Sequence, residues 1–374
     1  MFLPAGSRDE KGMAVSSRSH VMEEFRKVAT LRGYKEISTP VVEYATTFTN
    51  KHVGMKLQEM MKWFNAEGEI EVLRPDWTTA IARALSTEEK RPQKWVYQGS
   101  VFKRNMPGVE YHQAGVEIIH LPELMGESES LLMAQSVLKE LGVNNSLIEL
   151  GHTGIYESLA NELQLTCTDA ERLRHAMHDK KKDEVYQIAK DNGSKETASE
   201  MAALVDAFGT MDIITEYEER WKDRDSILSI LQHIKKLAQI LQQSGSGEIL
   251  IDLGRVKNLP YYSGIMFRGF LPESGGVCFS GGRYDRLYEQ FGKSISAVGL
   301  AFDIEVLANQ IKESDERQRI CIIAGEESLA YAEQLRASFE NCIVDVQPEQ
   351  MDKGNYTKIL EIKTSNGEFE VIEK

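Results

Sequence analysis

Two strand-like runs, Lys94–Arg104 and Val109–His120, flank the tetrapeptide Asn105-Met106-Pro107-Gly108. Proline followed by glycine between two such runs is a strong turn signal. The spacing therefore predicts a long antiparallel hairpin and commits this part of the chain to a sheet. Upstream, Ser16–Arg32 places Val21, Met22, Phe25, Val28 and Ala29 at helical spacing and stops at Gly33. Glu36–Glu43 reads as a strand with Pro40 inside it, hence an edge or an interrupted strand. Glu69–Leu73 alternates as a strand, and Trp77–Leu85 follows as a helix with Asp76 as its N-cap.

Downstream, Ser128–Leu141 reads as a helix and Ser146–Leu150 as a short strand. From about 168 to 222 the chain is charge-rich and glycine-poor. Leu173 and Met177, then Met201, Leu204, Val205 and Phe208, recur at helical spacing there, which predicts an inserted helical subdomain. Ser226–Gln243 is a further helix. Strands return at Glu248–Leu253, Tyr261–Phe270 and Gly276–Phe279. Gly281-Gly282 reads as a tight turn before a helix near Arg283, and Ala297–Phe302 as a strand running into a helix over Asp303–Ile311. The polar stretch at 313–318 is the expected linker between a core over 1–312 and a small α/β module over 319–374, read as β-α-β-β-β. The fold class is α+β: a mixed, mainly antiparallel sheet flanked by helices.

Several chemistries are not supported. The 374 residues carry 44 Lys+Arg against 58 Asp+Glu, a formal charge of −14, which argues against a protein built to wrap nucleic acid. No P-loop, no G-x-G-x-x-G opening a helix after a strand, and no G-x-S-x-G elbow is present. His175 and His178 share a helix face, but Lys180-Lys181-Lys182 beside them repels a cation, so they read as surface histidines. Cys167, Cys278, Cys321 and Cys342 never form C-x-x-C and read as reduced thiols of a cytosolic protein. No signal-like leader and no apolar run long enough for a membrane span are seen. No metal and no cofactor is expected.

What remains is polar residues on apolar strands: the segment around Asp76 and Thr78, Gln113 and Glu117 in the hairpin, and Tyr261-Tyr262. Such groups cost free energy unless paired. Either they satisfy one another in the core, or they line a polar pocket over a sheet.

The same segments carry a resemblance. Pro4-Ala5-Gly6 with Asp9, Gly33-Tyr34 leading to Thr39-Pro40 and Glu43, Leu73-Arg74-Pro75-Asp76-Trp77-Thr78, Phe102 with His112-Gln113-Ala114-Gly115-Val116-Glu117, Tyr261-Tyr262-Ser263-Gly264 and Gly281-Gly282-Arg283-Tyr284-Asp285 together resemble the class II aminoacyl-tRNA synthetase core. The resemblance is specifically to histidyl-tRNA synthetases and spans roughly residues 1–311. It implies that Asp76, Thr78, Gln113, Glu117, Tyr261 and Tyr262 hold histidine, with Lys103, Lys257 and Arg283 as further pocket candidates. The departures fall where the synthetases clamp ATP and the reacting carboxylate: their arginines align with Lys103, Lys257 and Val306. A lysine does not reproduce the guanidinium fork, and valine carries no charge.

The pattern is thus similar to the regulatory subunits of ATP phosphoribosyltransferase, which resemble the synthetases without activating an amino acid. That resemblance implies a non-catalytic subunit that pairs with the short catalytic subunit in a hetero-octamer of four plus four, assembled on dimers, with L-histidine as feedback effector. No tRNA and no membrane are expected as partners. The histidine site is expected to be the retained pocket, with a subunit interface as the alternative. A working histidyl-tRNA synthetase, or a related ligase, would need the missing arginines; the cations available in their place are Lys103, Arg104, Arg255 and Lys257. A plain interaction module with a vestigial pocket is the remaining reading. The last 56 residues carry six Lys/Arg against eleven Asp/Glu, an acidic module and a shrunken relic of an anticodon-binding domain.

Overall fold

The computed structural model describes the chain apart from residues 1, 89, 105–107, 145, 246, 257–260, 273, 312–316, 350–355 and 366–367. The hairpin turn at Asn105–Pro107, most of the expected linker and Lys257 therefore lie outside the described residues. Two compact units divide the chain, Met1–Ile311 and Lys312–Lys374.

In the larger unit the strands are β1 Lys35–Glu36, β2 Val42–Tyr44, β3 Lys62–Phe64, β4 Ile70–Leu73, β5 Gln93–Phe102, β6 Glu110–Ile119, β7 Leu147–His152, β8 Phe208–Gly209, β9 Ile249–Asp252, β10 Ile265–Phe270, β11 Val277–Arg283 and β12 Ala297–Asp303. Among the described residues, nine of them form one sheet in the order β1-β5-β6-β12-β11-β10-β7-β9-β8. The β1–β5 and β7–β9 pairs are parallel and the remaining pairs antiparallel. β2, β4 and β3 make a separate small sheet. The predicted hairpin is β5–β6, in register from Gln93 opposite Ile119 to Phe102 opposite Glu110. The interrupted strand at Pro40 is two short strands in two sheets.

Side-chain alternation splits the large sheet into two faces. Val96, Ala114, Val116, Ile118, Phe267, Phe279, Leu300 and Phe302 enter the main core with the helices Met13–Leu31, Glu123–Glu140 and Asp225–Gln243. Phe302 meets Phe25 edge-on at 5.8 Å between centroids and Phe279 at 5.5 Å. The first helix buries Val21, Phe25, Val28 and Ala29. It ends where Gly33 takes φ +75°, with Gly33 N–H donating to Thr30 O and Tyr34 N–H to Ala29 O. That is a Schellman stop, which a side chain at Gly33 would strain.

Three local expectations are corrected. Gly281-Gly282 is no turn: both lie inside β11, between β10 and β12. A Cβ at Gly281 would collide with the Gly299 carbonyl and the Phe267 ring, so the glycines serve close strand approach rather than reversal. The next element is a 3-10 helix, Asp285–Phe291. The helix expected from Ser128 starts at Glu123, just after Pro122. Its buried polar residues Glu127, Ser128 and Ser130 mask the apolar period. The insertion holds the helices Cys167–His178, Lys182–Asn192, Lys195–Val205 and Asp212–Arg220, but Phe208 belongs to β8, which pairs with β9 at the sheet edge. His175 and His178 are exposed.

The smaller unit contains β13 Arg319–Ile323, the helix Leu329–Ala337, β14 Ile343–Gln347, β15 Lys358–Ser365 and β16 Glu368–Glu373. They form a sheet ordered β14-β13-β15-β16 over a core of Ile320, Ile322, Ala332, Leu360 and Ile362.

Candidate functional site

The second face of the large sheet is built from small and polar residues. On β6, Gln113, Gly115 and Glu117 alternate with the core residues Ala114 and Val116. Their register partners are Tyr97 on β5, opposite Gly115, and Ala301 and Gly299 on β12, opposite Gly115 and Glu117. Two glycines are dictated by contact. A Cβ at Gly115 would collide with the Tyr97 phenol, and one at Gly299 with the Glu117 carboxylate. A cavity of about 180 Å³ opens over this floor. It is smaller than the ~300–1,000 Å³ pockets that take drug-sized ligands, a size suited to an amino acid.

The cavity brings together Asp76, Thr78, Gln113, Tyr261 and Tyr262, with Lys103 on its wall. Asp76 caps the helix Trp77–Leu85: one oxygen accepts from Thr78 N–H at 3.0 Å, the other from Thr79 N–H at 3.3 Å and Thr79 Oγ1 at 3.2 Å. The helix N-terminus and the cap thus fix a carboxylate at the cavity. Glu117 is not itself a lining residue: it is 1% exposed and lies behind the wall residues Thr78 and Tyr284. Its Oε1 accepts from Thr78 Oγ1 at 2.8 Å and its Oε2 from the Tyr284 hydroxyl. Arg74 braces the same segment: it stacks on Trp77 at 3.3 Å and donates to Thr39 O at 2.9 Å and Ser100 O at 2.9 Å.

Burial sets the electrostatics. It pushes the Glu117 carboxyl up to about 8, against the pull of the Tyr284 and Thr78 hydroxyls, and Asp76 adds repulsion. Burial also raises Asp76, opposed by the Thr79 and Thr78 hydrogen bonds and by the Lys103 charge. The phenols of Tyr97, Tyr261, Tyr262 and Tyr284 are all held above their usual value, first by burial and then by the neighbouring acids, with the Tyr262 phenol ahead of the acids at Tyr261. A cavity with two raised carboxyls and a wall of phenols favours a ligand that brings N–H donors and positive charge.

The wall residues that sequence reasoning did not nominate include Tyr97, Tyr284, Ser280 and Met55. Tyr97 was accessible through the hairpin register and Tyr284 through its place in the Gly-Gly-Arg-Tyr-Asp segment. Nothing local marks Ser280 or Met55. Arg283 is corrected: it does not line the cavity. Its Nε donates to Glu127 Oε1 at 2.8 Å, its Nη1 to Ser296 Oγ at 2.8 Å and Asp285 Oδ1 at 3.2 Å, and its Nη2 to Glu123 O at 3.1 Å. Glu127 in turn holds His233, whose pKa it raises. Glu123, Glu127 and His233 place ligand-type atoms within 4.8 Å of one another, but the Arg283 guanidinium already answers that charge.

Comparison with known proteins follows from this geometry. The histidyl-tRNA synthetase family matches residues 6–307. A protein of Bacillus mycoides strain KBAB4 described as an ATP phosphoribosyltransferase regulatory subunit is 32% identical over 347 residues, 89% of this chain and 82% of the relative. One of Bacillus cereus strain AH820 with the same description is 31% identical over 351 residues, 90% of this chain and 83% of the relative. Among solved structures, a Bacillus halodurans C protein described as an ATP phosphoribosyltransferase regulatory subunit/histidyl-tRNA synthetase superposes with a TM-score of 0.82 at 25% identity, covering 96% of this chain and 97% of the other. Histidyl-tRNA synthetase from Nostoc sp. PCC 7120 has a TM-score of 0.77 at 16% identity, covering 96% and 90%, and shares the fold.

Proposed function

Because the chain belongs to the ATP phosphoribosyltransferase regulatory subunits, within the histidyl-tRNA synthetase family, we propose that it is a non-catalytic subunit that supports the short catalytic subunit in the first step of histidine biosynthesis and carries feedback by L-histidine. The observation that carries the effector assignment is the 180 Å³ cavity with Asp76 at its wall and Glu117 directly behind the wall residues Thr78 and Tyr284. Histidine has two N–H-bearing ends, an ammonium and an imidazole, and the cavity has two carboxylates. The phenols of Tyr261 and Tyr262, 4.9 Å apart between centroids, offer flat faces to a planar ring or a cation. Gln113 supplies an amide.

The clamp positions support a non-catalytic role. Lys103 stands where a synthetase carries a guanidinium for the α-phosphate. Val306 stands where one grips the γ-phosphate, and it packs against the main core instead. Adenylation depends on positioned cations, and a lysine and a valine supply no bidentate fork. Feedback then requires only that histidine bind one state of the assembly more tightly, a coupling of ~1–3 kcal/mol. The assembly in this reading is four regulatory and four catalytic chains, built on regulatory dimers.

The deciding experiment mixes the purified chain with short-form ATP phosphoribosyltransferase. Turnover is expected to rise on mixing and to fall again with histidine, while histidine-dependent ATP–pyrophosphate exchange stays at background. Unchanged turnover, or robust exchange, overturns the proposal.

A further inference from the structure

We infer that a groove at the β1 edge of the large sheet docks the catalytic partner, and that the segment it takes is amphipathic and acidic, an aliphatic stripe flanked by carboxylates; the inference rests on the partnership proposed above. The groove encloses about 910 Å³ between β1, the start of β5 and the helix Glu123–Glu140. It is separate from the amino-acid cavity, since among the described residues none lines both. Its floor is aliphatic: Leu121, Leu124, Met125 and Leu132, with Ile240 from the helix Asp225–Gln243.

The helix Glu123–Glu140 shows why that floor is open. Its core stripe, with Leu131, Ala134, Val137 and Leu138, is buried. Leu124, Ser128 and Leu132 recur every fourth residue with Met125 beside them, and this second stripe lines the groove. Met125 is 62% exposed. A helix with apolar residues on two sides is normally covered on both, and an open apolar patch with a polar rim marks an interaction site.

The rim sets the charge of the occupant. The chain carries −14 overall, yet among the described residues the groove is lined by three cations, Lys35, Arg91 and Lys94, and one acid. That acid, Glu129, is already answered: Arg32 Nη2 donates to it at 2.9 Å and Lys94 Nζ at 3.1 Å. The groove is thus a positive surplus on an acidic molecule, so the field steers an acidic partner here and away from the rest of the surface. The same charge disfavours a second copy, because a two-fold contact centred on the groove sets cation against cation. An aliphatic floor inside a charged rim is the arrangement that takes an amphipathic helix, its anchors below and its charges at the edge.

The test measures binding and activation of the short catalytic subunit by the full chain, with calorimetric titration of L-histidine as a control on the fold and the cavity. Met125→Asp should weaken association about tenfold or more, since a carboxylate on the floor loses its water and gains no partner. Lys35→Glu combined with Arg91→Glu should weaken it about tenfold and remove most of its salt dependence. Both variants should keep histidine affinity within about twofold, as expected of distant sites. The three side chains are exposed, so the variants are expected to fold; if Met125→Asp does not, the charge-reversal pair carries the test. Unchanged binding and activation in either folded variant overturns the inference while the proposed function stands. A fall in the mass of the Met125→Asp chain on its own, read by sedimentation, assigns the groove to a second copy and also overturns it. A wild type that neither binds nor activates the catalytic subunit overturns the proposed function, and this inference with it.

Discussion

Two of the buried charged clusters in the larger unit differ in closure. Around Arg283 the guanidinium donates to Glu127, Asp285, Ser296 and the Glu123 carbonyl, and Glu127 also holds His233. Donors and acceptors answer one another. At the cavity, Asp76 and Glu117 are taken up by hydroxyls and backbone N–H groups, with Lys103 the one cation on the wall among the described residues. Both carboxyls are pushed up by burial. The first cluster is finished as it stands, and its role is to pin the helix Glu123–Glu140 to the strand ends. The second, in the function proposed above, is completed by a ligand. Sequence motifs do not separate the two, since Arg283 and Tyr284 are adjacent in one signature.

The largest effect should come from opening the closed cluster. Glu127 is fully buried, and Glu127→Ala leaves Arg283 and His233 without it. We expect a loss on the order of 3–5 kcal/mol in stability, read by urea denaturation, with the histidine affinity of the surviving folded fraction within about threefold. A loss below ~1 kcal/mol would show that the cluster is not closed in the sense argued.

Glu117→Gln should do the reverse. Histidine affinity is expected to fall about a hundredfold, as for loss of a charged hydrogen-bond partner, while stability improves at high pH. The sign follows from the raised carboxyl. Between the ordinary value of 4.5 and about 8 the folded state keeps the Glu117 proton and the unfolded state has released it. Wild-type stability therefore falls as pH rises through that window, and the glutamine variant lacks this slope. Melting temperatures at pH 5 and pH 8 should show the variant gaining on the wild type with pH. A gap independent of pH would sever the link between burial of this acid and its function.

How much of this was legible in the sequence depends on range. Gln113 and Glu117 are four apart on one strand, so the two-residue period alone puts them on one face. Asp76 announces itself as a cap before an apolar helix. Tyr97 becomes visible only once the hairpin register sets it opposite Gly115. The reading of Gly281-Gly282 went wrong because a glycine pair signals either a turn or a close strand approach, and the choice rests on β12, some sixteen residues on. Glu127 was hidden because the buried polar residues of its helix break the apolar period that marks helices. Arg283 was placed at the pocket by its motif neighbours, yet alternation along β11 does not settle where a side chain beyond the floor ends.

The smallest effect tests how the cavity's charge is tuned. Thr78 Oγ1 donates one hydrogen bond to Glu117 Oε1 at 2.8 Å and favours its ionised form. Thr78→Val keeps the shape and removes that donor. We expect histidine affinity to weaken about fivefold, the worth of roughly 1 kcal/mol for one hydrogen bond. More telling is the pH dependence. A cationic ligand needs Glu117 ionised, so wild-type affinity should climb with pH and level off near the carboxyl's value of about 8. In Thr78→Val the lost donor raises that value further, so the rise should level off at higher pH, and binding near neutrality should release more protons, seen as a stronger dependence of the calorimetric heat on buffer. A plateau at the same pH in both proteins would mean that Thr78 contacts the ligand directly, and that the open cluster is not governed by the ionisation of Glu117.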